Sequence, residues 1–272
     1  MNAWFNHKVD YMNSKNKEIN MANCCIEVEN CCVEYDNILA LDNVSFSIPK
    51  GSFIGVMGPN GGGKSTLFNA IAGLEDLAHG KININGKSPK ESLGKISYVP
   101  QKEMINWNFP LSVKDVVSQG KIRGGNIFNV LGFSDDLVED SLKKVNMFDK
   151  RNEMIQNLSG GEKQRTFIAR ALAQESEILL LDEAFSGVDY GSQEDISDVL
   201  RMLTSESKTI LMSTHDLNTL SDRFDQVLCL NGHVCAFGSP EIVLTKEVLK
   251  ELYGVHKDKL INHRIGNHNN NV

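Results

Sequence analysis

The sequence predicts an α/β fold built on a mostly parallel β-sheet, and three observations predict it. Short apolar runs alternate with stretches of helical periodicity, one such run passes through a glycine-rich loop straight into a helical pattern, and the composition is that of a globular chain. With 272 residues, 41% hydrophobic and 23% charged, the chain suits one large domain carrying an inserted or appended subdomain.

Residues 1–24 include Asn6, His7, Lys8, Asp10, Asn13, Lys15 and Lys17 and hold no continuous apolar core. They read as a disordered extension rather than a secretory signal, and Met21 is a second candidate translation start. From Cys25 to Val56 apolar and polar residues alternate, as in Val44, Phe46 and Ile48, with a turn at Pro49-Lys50-Gly51; this is a set of β-strands. Cys24, Cys25, Cys31 and Cys32 fall in this region, where Ile26, Val28 and Val33 interleave with Glu27, Glu29 and Glu34. Their spacing lacks the C-x2-C knuckle of a zinc site, so they read as small apolar fillers of a strand.

Phe53 to Met57 is an apolar strand leading through glycines into a helix marked by Leu67, Ala70, Ile71 and Leu74. Residues 101–157 are mostly helical in pattern, with Ser134 placed to cap a helix bearing Leu137, Val138, Leu142 and Val145. Strands follow at Glu177–Leu181 and Thr209–Ser213, separated by a helix with Ile196, Val199, Leu200 and Leu203 on one face. Val227–Leu230 and His233–Phe237 flank Asn231-Gly232, the signal of a two-residue hairpin, and Ser239-Pro240 opens a last helix ending at Gly254. Residues 255–272, with His256, His263 and His268, read as a flexible tail.

The formal net charge is −7, with 35 acidic against 28 basic residues, so the chain lacks the basic field that gathers a polyanion, and no nucleic-acid partner is expected. No apolar run approaches the roughly 20 residues that cross a bilayer. The most hydrophobic stretch is the short Ile178–Leu181. The six cysteines are expected to stay free thiols in a reducing compartment.

The chemistry begins at Gly58-Pro59-Asn60-Gly61-Gly62-Gly63-Lys64-Ser65, followed by Thr66, in the strand-to-helix setting of a phosphate loop. Backbone N–H groups converge on a phosphate there, Lys64 meets the β- and γ-phosphates, and Ser65 meets Mg²⁺. A second element, Ile178-Leu179-Leu180-Leu181-Asp182-Glu183, ends an apolar strand in two carboxylates. Asp182 is placed to hold the Mg²⁺ shell and Glu183 to accept a proton from, or to orient, the attacking water. A third, Leu158-Ser159-Gly160-Gly161-Glu162, opens a helix with Phe167, Ile168, Ala171 and Leu172. Its serine and glycine N–H groups form an anion cradle.

With this third element the chain resembles the ABC transporter ATPases, whose signature begins LSGGQ; Glu162 stands where glutamine is usual. The resemblance runs from about Ile26 to Gly254. It implies a P-loop NTPase core with a mostly parallel sheet and an N-terminal antiparallel β subdomain, within an ATPase domain of residues 25–254. It also implies an inserted α-helical subdomain, at about residues 102–165, carrying the signature. Tyr35 corresponds to the aromatic that stacks on adenine, although a strand tyrosine equally serves packing. Gln101 corresponds to the glutamine loop that senses Mg²⁺ and water, Asp189 in Ser186-Gly187-Val188-Asp189 to a loop crossing to the second subunit, and His215 in Ser213-Thr214-His215-Asp216 to the switch histidine. Ala184 replaces a common proline.

The resemblance further implies ATP and Mg as cofactors, the ion held through Ser65, Gln101 and Asp182. It implies a head-to-tail homodimer in which Ser159 of one copy grips ATP on Lys64 of the other. Integral membrane permease subunits, and indirectly a metal-binding solute receptor, are the implied partners, at the cytoplasmic face of a prokaryotic cell membrane. Asn106-Trp107-Asn108-Phe109-Pro110 and the following Val113-Lys114-Asp115-Val116-Val117 look like the matching stretch in importers of manganese, zinc or chelated iron. Trp107 and Phe109 can instead fill the subdomain core, and iron-siderophore or cobalamin import is the alternative cargo reading. A soluble ABC ATPase outside transport is the alternative from another class, though the sequence carries neither a long heptad-rich insertion nor a second cassette. Deleting residues 1–20 is expected to leave ATPase activity intact. Loss of folding or turnover in the truncated protein would show that the extension packs on the core.

Overall fold

Strand alternation in the N-terminal third builds the first sheet. A computed structural model describes residues 24–101, 110–121, 136–217 and 219–254. β1 (Cys24–Tyr35) and β2 (Ile38–Pro49) form an antiparallel hairpin turned by Asp36 and Asn37, both at positive φ, and β4 (His79–Ile84) pairs antiparallel with the other edge of β1. Strict alternation breaks at Asn30, a positive-φ residue in an irregular register, so that Cys31, Cys32 and Val33 are all buried in succession. The filler reading of the cysteines holds there: all six are free thiols, and burial pushes the Cys31 thiol up to about 12. β1 starts at Cys24, the last residue assigned to the extension.

The second sheet runs β5 (Ile96–Val99), β6 (Ile178–Leu181), β7 (Thr209–Thr214), β3 (Phe53–Met57), β8 (Gln226–Leu230) and β9 (Val234–Gly238). All neighbours are parallel except β8 and β9. Strands buried on both faces read as unbroken apolar runs, and their period of two sorts them into two cores. Ile54, Ile178, Leu180 and Leu211 face one core, with Ile26 and Ile48 of the first sheet and with Phe68 of α1 (Lys64–Ile71). Phe53, Leu179, Leu181 and Ile210 face the other, with Ile168 of α4 (Gly160–Ala173) and Leu200 of α5 (Tyr190–Ser205). On this second side α2 (Val113–Ser118) and α3 (Asp136–Lys144) pack against α4.

Several expectations need correction. α1 stops at Ile71, leaving Leu74 exposed. β4 and β5 went unrecognised, although Lys81-Ile82-Asn83-Ile84 alternates and ends at Asn85-Gly86, a turn signal. The β8–β9 hairpin pairs Leu230 with Val234, so its loop is three residues long and carries an irregularity at Cys229. The last helix is two: α7 (Pro240–Val243) ends at Leu244, and α8 (Lys246–Tyr253) restarts where the Thr245 side chain accepts the Val248 N–H. A threonine that claims a backbone N–H favours a cap over an unbroken helix. α6 (Leu220–Arg223) is a single turn. Ser134, Trp107, Phe109, His256, His263 and His268 lie outside the described residues.

The hairpin loop positions the phosphate loop. Gly232 donates its N–H to the Gly62 carbonyl at 2.9 Å and accepts the Asp42 N–H at 2.7 Å. The Leu230 carbonyl lies so close to Gly58 that a Cβ there would come to 1.9 Å from its oxygen. Gly58→Ala is therefore expected to displace the hairpin and lower stability by the about 1–3 kcal/mol typical of overpacking. Gly94→Ala, which adds its methyl to open space, is expected to stay within about 0.5 kcal/mol of the parent. Urea unfolding of both variants checks this, and equal midpoints would refute it.

Candidate active site

In an open α/β sheet the carboxyl ends of parallel strands gather the groups that meet a ligand. Here β3 ends in the glycine loop, β5 in Pro100-Gln101, β6 in Asp182-Glu183 and β7 in Thr214-His215. No side chain caps the N-terminus of α1, so its first N–H groups point to the loop without an internal side-chain acceptor. Lys64 is buried and its Nζ donates to the carbonyls of Gly58 and Pro59, each at 3.0 Å. Burial pulls the Lys64 ammonium below the usual lysine range, while Glu183 and Asp182 push it back up. The lysine and the two carboxylates thus share one electrostatic environment. Ser65 and Thr66 are half-buried in the first turn of α1.

Asp182 is 1% exposed, and a carboxylate removed from water needs donors. It has two: the Ser213 hydroxyl donates to Oδ1 at 2.6 Å and the Tyr98 hydroxyl reaches Oδ2 at 3.3 Å. Burial, then the Asp182 charge, push the Tyr98 hydroxyl well above the usual tyrosine range, so it stays a donor. Ser213 Oγ also accepts the Glu183 N–H at 2.7 Å. One hydroxyl therefore fixes both acids. Glu183 sits at φ +48°, a conformation that costs a non-glycine residue about 1 kcal/mol or more. Its Oε1 lies 2.7 Å from His215 Nε2.

Tyr98 and Ser213 were present in the sequence motifs without a role. No pattern in sequence shows that β5, β6 and β7 stand side by side, which is what aims both hydroxyls at Asp182. Gln101 is half-buried just beyond β5. Tyr35, at the end of β1, is 42% exposed, so it is not a core residue. Its hydroxyl donates to Glu75 Oε2 at 2.7 Å and lies within hydrogen-bonding reach of Thr66.

Leu158 to Glu162 form a second cluster. Leu158 is buried, and Ser159 caps α4 in a reciprocal box: Ser159 Oγ accepts the Glu162 N–H at 3.3 Å, and Glu162 Oε2 accepts the Ser159 N–H at 2.8 Å. Glu162 also pairs with Lys150, Nζ to Oε1 at 2.6 Å. That ion pair, which the sequence did not reveal, is the main reason the Glu162 carboxyl drops to about 2. Behind Gly160, the Gly161 position is closed to any side chain, since a Cβ would come to 2.6 Å from Ser192 Cβ. Asp189 caps α5 by accepting the Ser192 N–H at 3.0 Å. Gly161 of the signature thus packs on Ser192, whose N–H Asp189 accepts, while Lys64 shares the field of Asp182 and Glu183, and Glu183 is bonded to His215.

Fold and site define a P-loop nucleotide hydrolase. The chain belongs to the ABC transporter family, whose model matches residues 41–186, and it is an ATP hydrolase. It is 45% identical to the manganese transport system ATP-binding protein MntB of Halalkalibacterium halodurans over 79% of this chain and 86% of that one. It is 37% identical to the zinc transport system ATP-binding protein TroB of Treponema pallidum over 78% of this chain and 80% of that one. Among solved structures, the ADP conformation of MJ1267, an ATP-binding cassette of an ABC transporter, superposes with a TM-score of 0.75 at 25% identity, covering 85% of this chain and 98% of that chain. Among the described residues no helix is long and apolar enough to cross a membrane.

A pH-dependent stability follows from Glu162. Its folded-state value of about 2 lies below the unfolded value of about 4.3. The stabilisation is present above the unfolded value and is lost as pH falls through the range between the two. Glu162→Gln is expected to melt below the parent near neutral pH, with the gap closing toward pH ~2. Thermal melts across that range check it, and a gap independent of pH would refute it.

Proposed function

We propose that this ATPase powers the import of a transition metal, manganese, zinc or iron, through a separate membrane permease. The ATPase part of the reading is carried by one observation: Glu183, pinned by Ser213 and bonded to His215, stands beside a buried, doubly bonded Asp182 and the Lys64 loop. The metal part is supported by relatives named for manganese, zinc and chelated-iron transport.

In this reading Lys64 holds the β- and γ-phosphates as a point charge, and the N–H groups of Gly61, Gly62, Gly63 and Thr66 surround them. The carbonyl contacts of Lys64 keep the loop near its working shape, which lowers the ordering cost of binding. Ser65, Asp182 and Gln101 offer a hydroxyl, a carboxylate and an amide carbonyl, an all-oxygen set that suits Mg²⁺. That ion supplies charge neutralisation on the phosphates. Glu183 takes the proton of the water that attacks the γ-phosphorus; the bond to the bridging oxygen breaks and ADP leaves. His215 orients Glu183 as its hydrogen-bonded neighbour. Tyr35 offers its exposed ring to adenine.

Ser159, Gly160, Gly161 and Glu162 act in trans. The reading implies a head-to-tail homodimer, with Asp189 at its interface and ATP clamped between copies. The assembly docks as a peripheral subunit on the cytoplasmic side of a permease fed by a metal-binding receptor. Glu183→Gln is expected to bind ATP normally, lose more than about 100-fold in turnover and accumulate as a dimer with ATP bound. Phosphate release and size-exclusion measurements check it, and a monomeric variant with parental turnover would overturn the assignment.

A further inference from the structure

Just beyond the hairpin turn, three unlike ligand groups converge. His233 precedes β9, Cys235 lies on it, and Glu251 is in the last turn of α8. A ring nitrogen, a sulfur and a carboxylate oxygen from these residues all lie within 4.8 Å of one another. His233 Nε2 is 3.3 Å from Glu251 Oε1 and 3.8 Å from Cys235 Sγ. We propose that His233, Cys235 and Glu251 form a binding site for a thiophilic divalent transition ion of the zinc class, coupled through the hairpin turn to the phosphate loop.

The spacing fits. Tetrahedral zinc, with bonds of about 2.0–2.1 Å to nitrogen and oxygen and about 2.3 Å to sulfur, sets nitrogen–oxygen edges near 3.4 Å and nitrogen–sulfur edges near 3.6 Å. The observed nitrogen–oxygen and nitrogen–sulfur separations depart from these by a few tenths of an ångström, and rotation of the flexible Glu251 side chain is needed to close the sulfur–oxygen edge, which is within 4.8 Å here. The donor set also selects: a thiolate and an imidazole favour zinc-like ions, whereas magnesium and calcium prefer oxygen alone. Cys235 is buried, while the side chains of His233 and Glu251 are 38% and 25% exposed. The triangle is closed at the sulfur and partly open at the other two corners, which leaves an entry path and a fourth position for water. On binding, the Cys235 thiol gives its proton to solvent as the sulfur–metal bond forms, with no change of oxidation state. Burial and the Glu251 charge hold that thiol at about 12 without a cation, a penalty that a dication reverses.

The coupling follows from the chain path. Gly232, next to His233, donates to the Gly62 carbonyl at 2.9 Å, and the Asn231 amide donates to the Leu252 carbonyl, next to Glu251, at 3.0 Å. An ion that ties α8 to β9 therefore stiffens the turn on which the phosphate loop leans. ATP then pays less ordering entropy on binding, and linkage requires ATP to tighten the metal by the same factor. The metal site does not depend on which ion is transported; its nucleotide readout rests on the ATPase reading.

The test is a Co²⁺ titration of the full chain without nucleotide, followed by displacement with Zn²⁺. A thiolate-to-cobalt charge-transfer band saturating at one ion per chain is expected, absent in Cys235→Ser. Glu251→Gln should keep the band and weaken affinity by more than about tenfold. No band in the parent, or a band that survives in Cys235→Ser, would overturn the site; the latter would move the ion to the N-terminal cysteines. Cys235 packs in the core, so if its serine variant does not fold, His233→Gln and Glu251→Gln carry the test, and parental cobalt affinity in both overturns it. In a second measurement, with Mg²⁺ in excess and Zn²⁺ buffered between the parental affinity and that of Glu251→Gln, Zn²⁺ should tighten ATP binding to the parent by about fivefold or more and leave Glu251→Gln unchanged. An equal response in both would refute the coupling. A parent without ATP hydrolysis would count against the ATPase reading and leave the cobalt result intact.

Discussion

The parallel pairing of β3 between β7 and β8 is the constraint from which the rest of this structure follows. Met57 stands opposite Thr214 and Cys229, Leu181 opposite Met212, and Val99 opposite Leu181. That register brings four strands to their ends along one rim. Each end then releases a different group: the glycine loop, Gln101, the two acids and His215. A slip of one residue in any pair would exchange the side chains that fill the two cores, so it is the packing of both cores that holds the register and with it the rim. The burial that stabilises the sheet and the alignment that makes the site are one fact.

On that rim the main electrostatic problem is Asp182, a carboxylate with almost no contact with water. Two hydroxyls from flanking strands solve it, and one of them, Ser213, at the same time holds the backbone of Glu183 in a left-handed conformation. Strain at a residue persists where neighbours over-determine it. Here the neighbours are a hydrogen bond to its N–H and another to its carboxylate from His215. Lys64 completes the arrangement: buried and within the field of both acids, it is held on the loop carbonyls of Gly58 and Pro59.

The hairpin after β8 has the less obvious part. Its Leu230 carbonyl and Gly232 amide touch the phosphate loop, its Asn231 side chain holds the end of α8, and its next residues carry the His233–Cys235–Glu251 triangle. A strand pair at the sheet edge is thus the mechanical link between the nucleotide loop and the C-terminal helix. The signature cluster is anchored differently, through its own capping box and the Lys150 ion pair, and through the close approach of Gly161 to Ser192.

What the sequence determined by itself was local chemistry. Glycines before Lys64, paired acids after an apolar strand, and Ser159 three residues before Glu162 each impose their own geometry through near neighbours, so they could be read without a fold. Strand β3 and the helix after it, the α5 face and the existence of the β8–β9 hairpin were legible for the same reason. Tertiary structure alone decided which strands became neighbours, and hence that Tyr98 and Ser213 meet Asp182 across β5, β6 and β7. It decided that Lys150 meets Glu162 and that Glu251 reaches His233 and Cys235. These contacts join residues far apart in sequence; their energy comes from burial and from hydrogen bonds formed only once the sheet is assembled, and no local pattern encodes them.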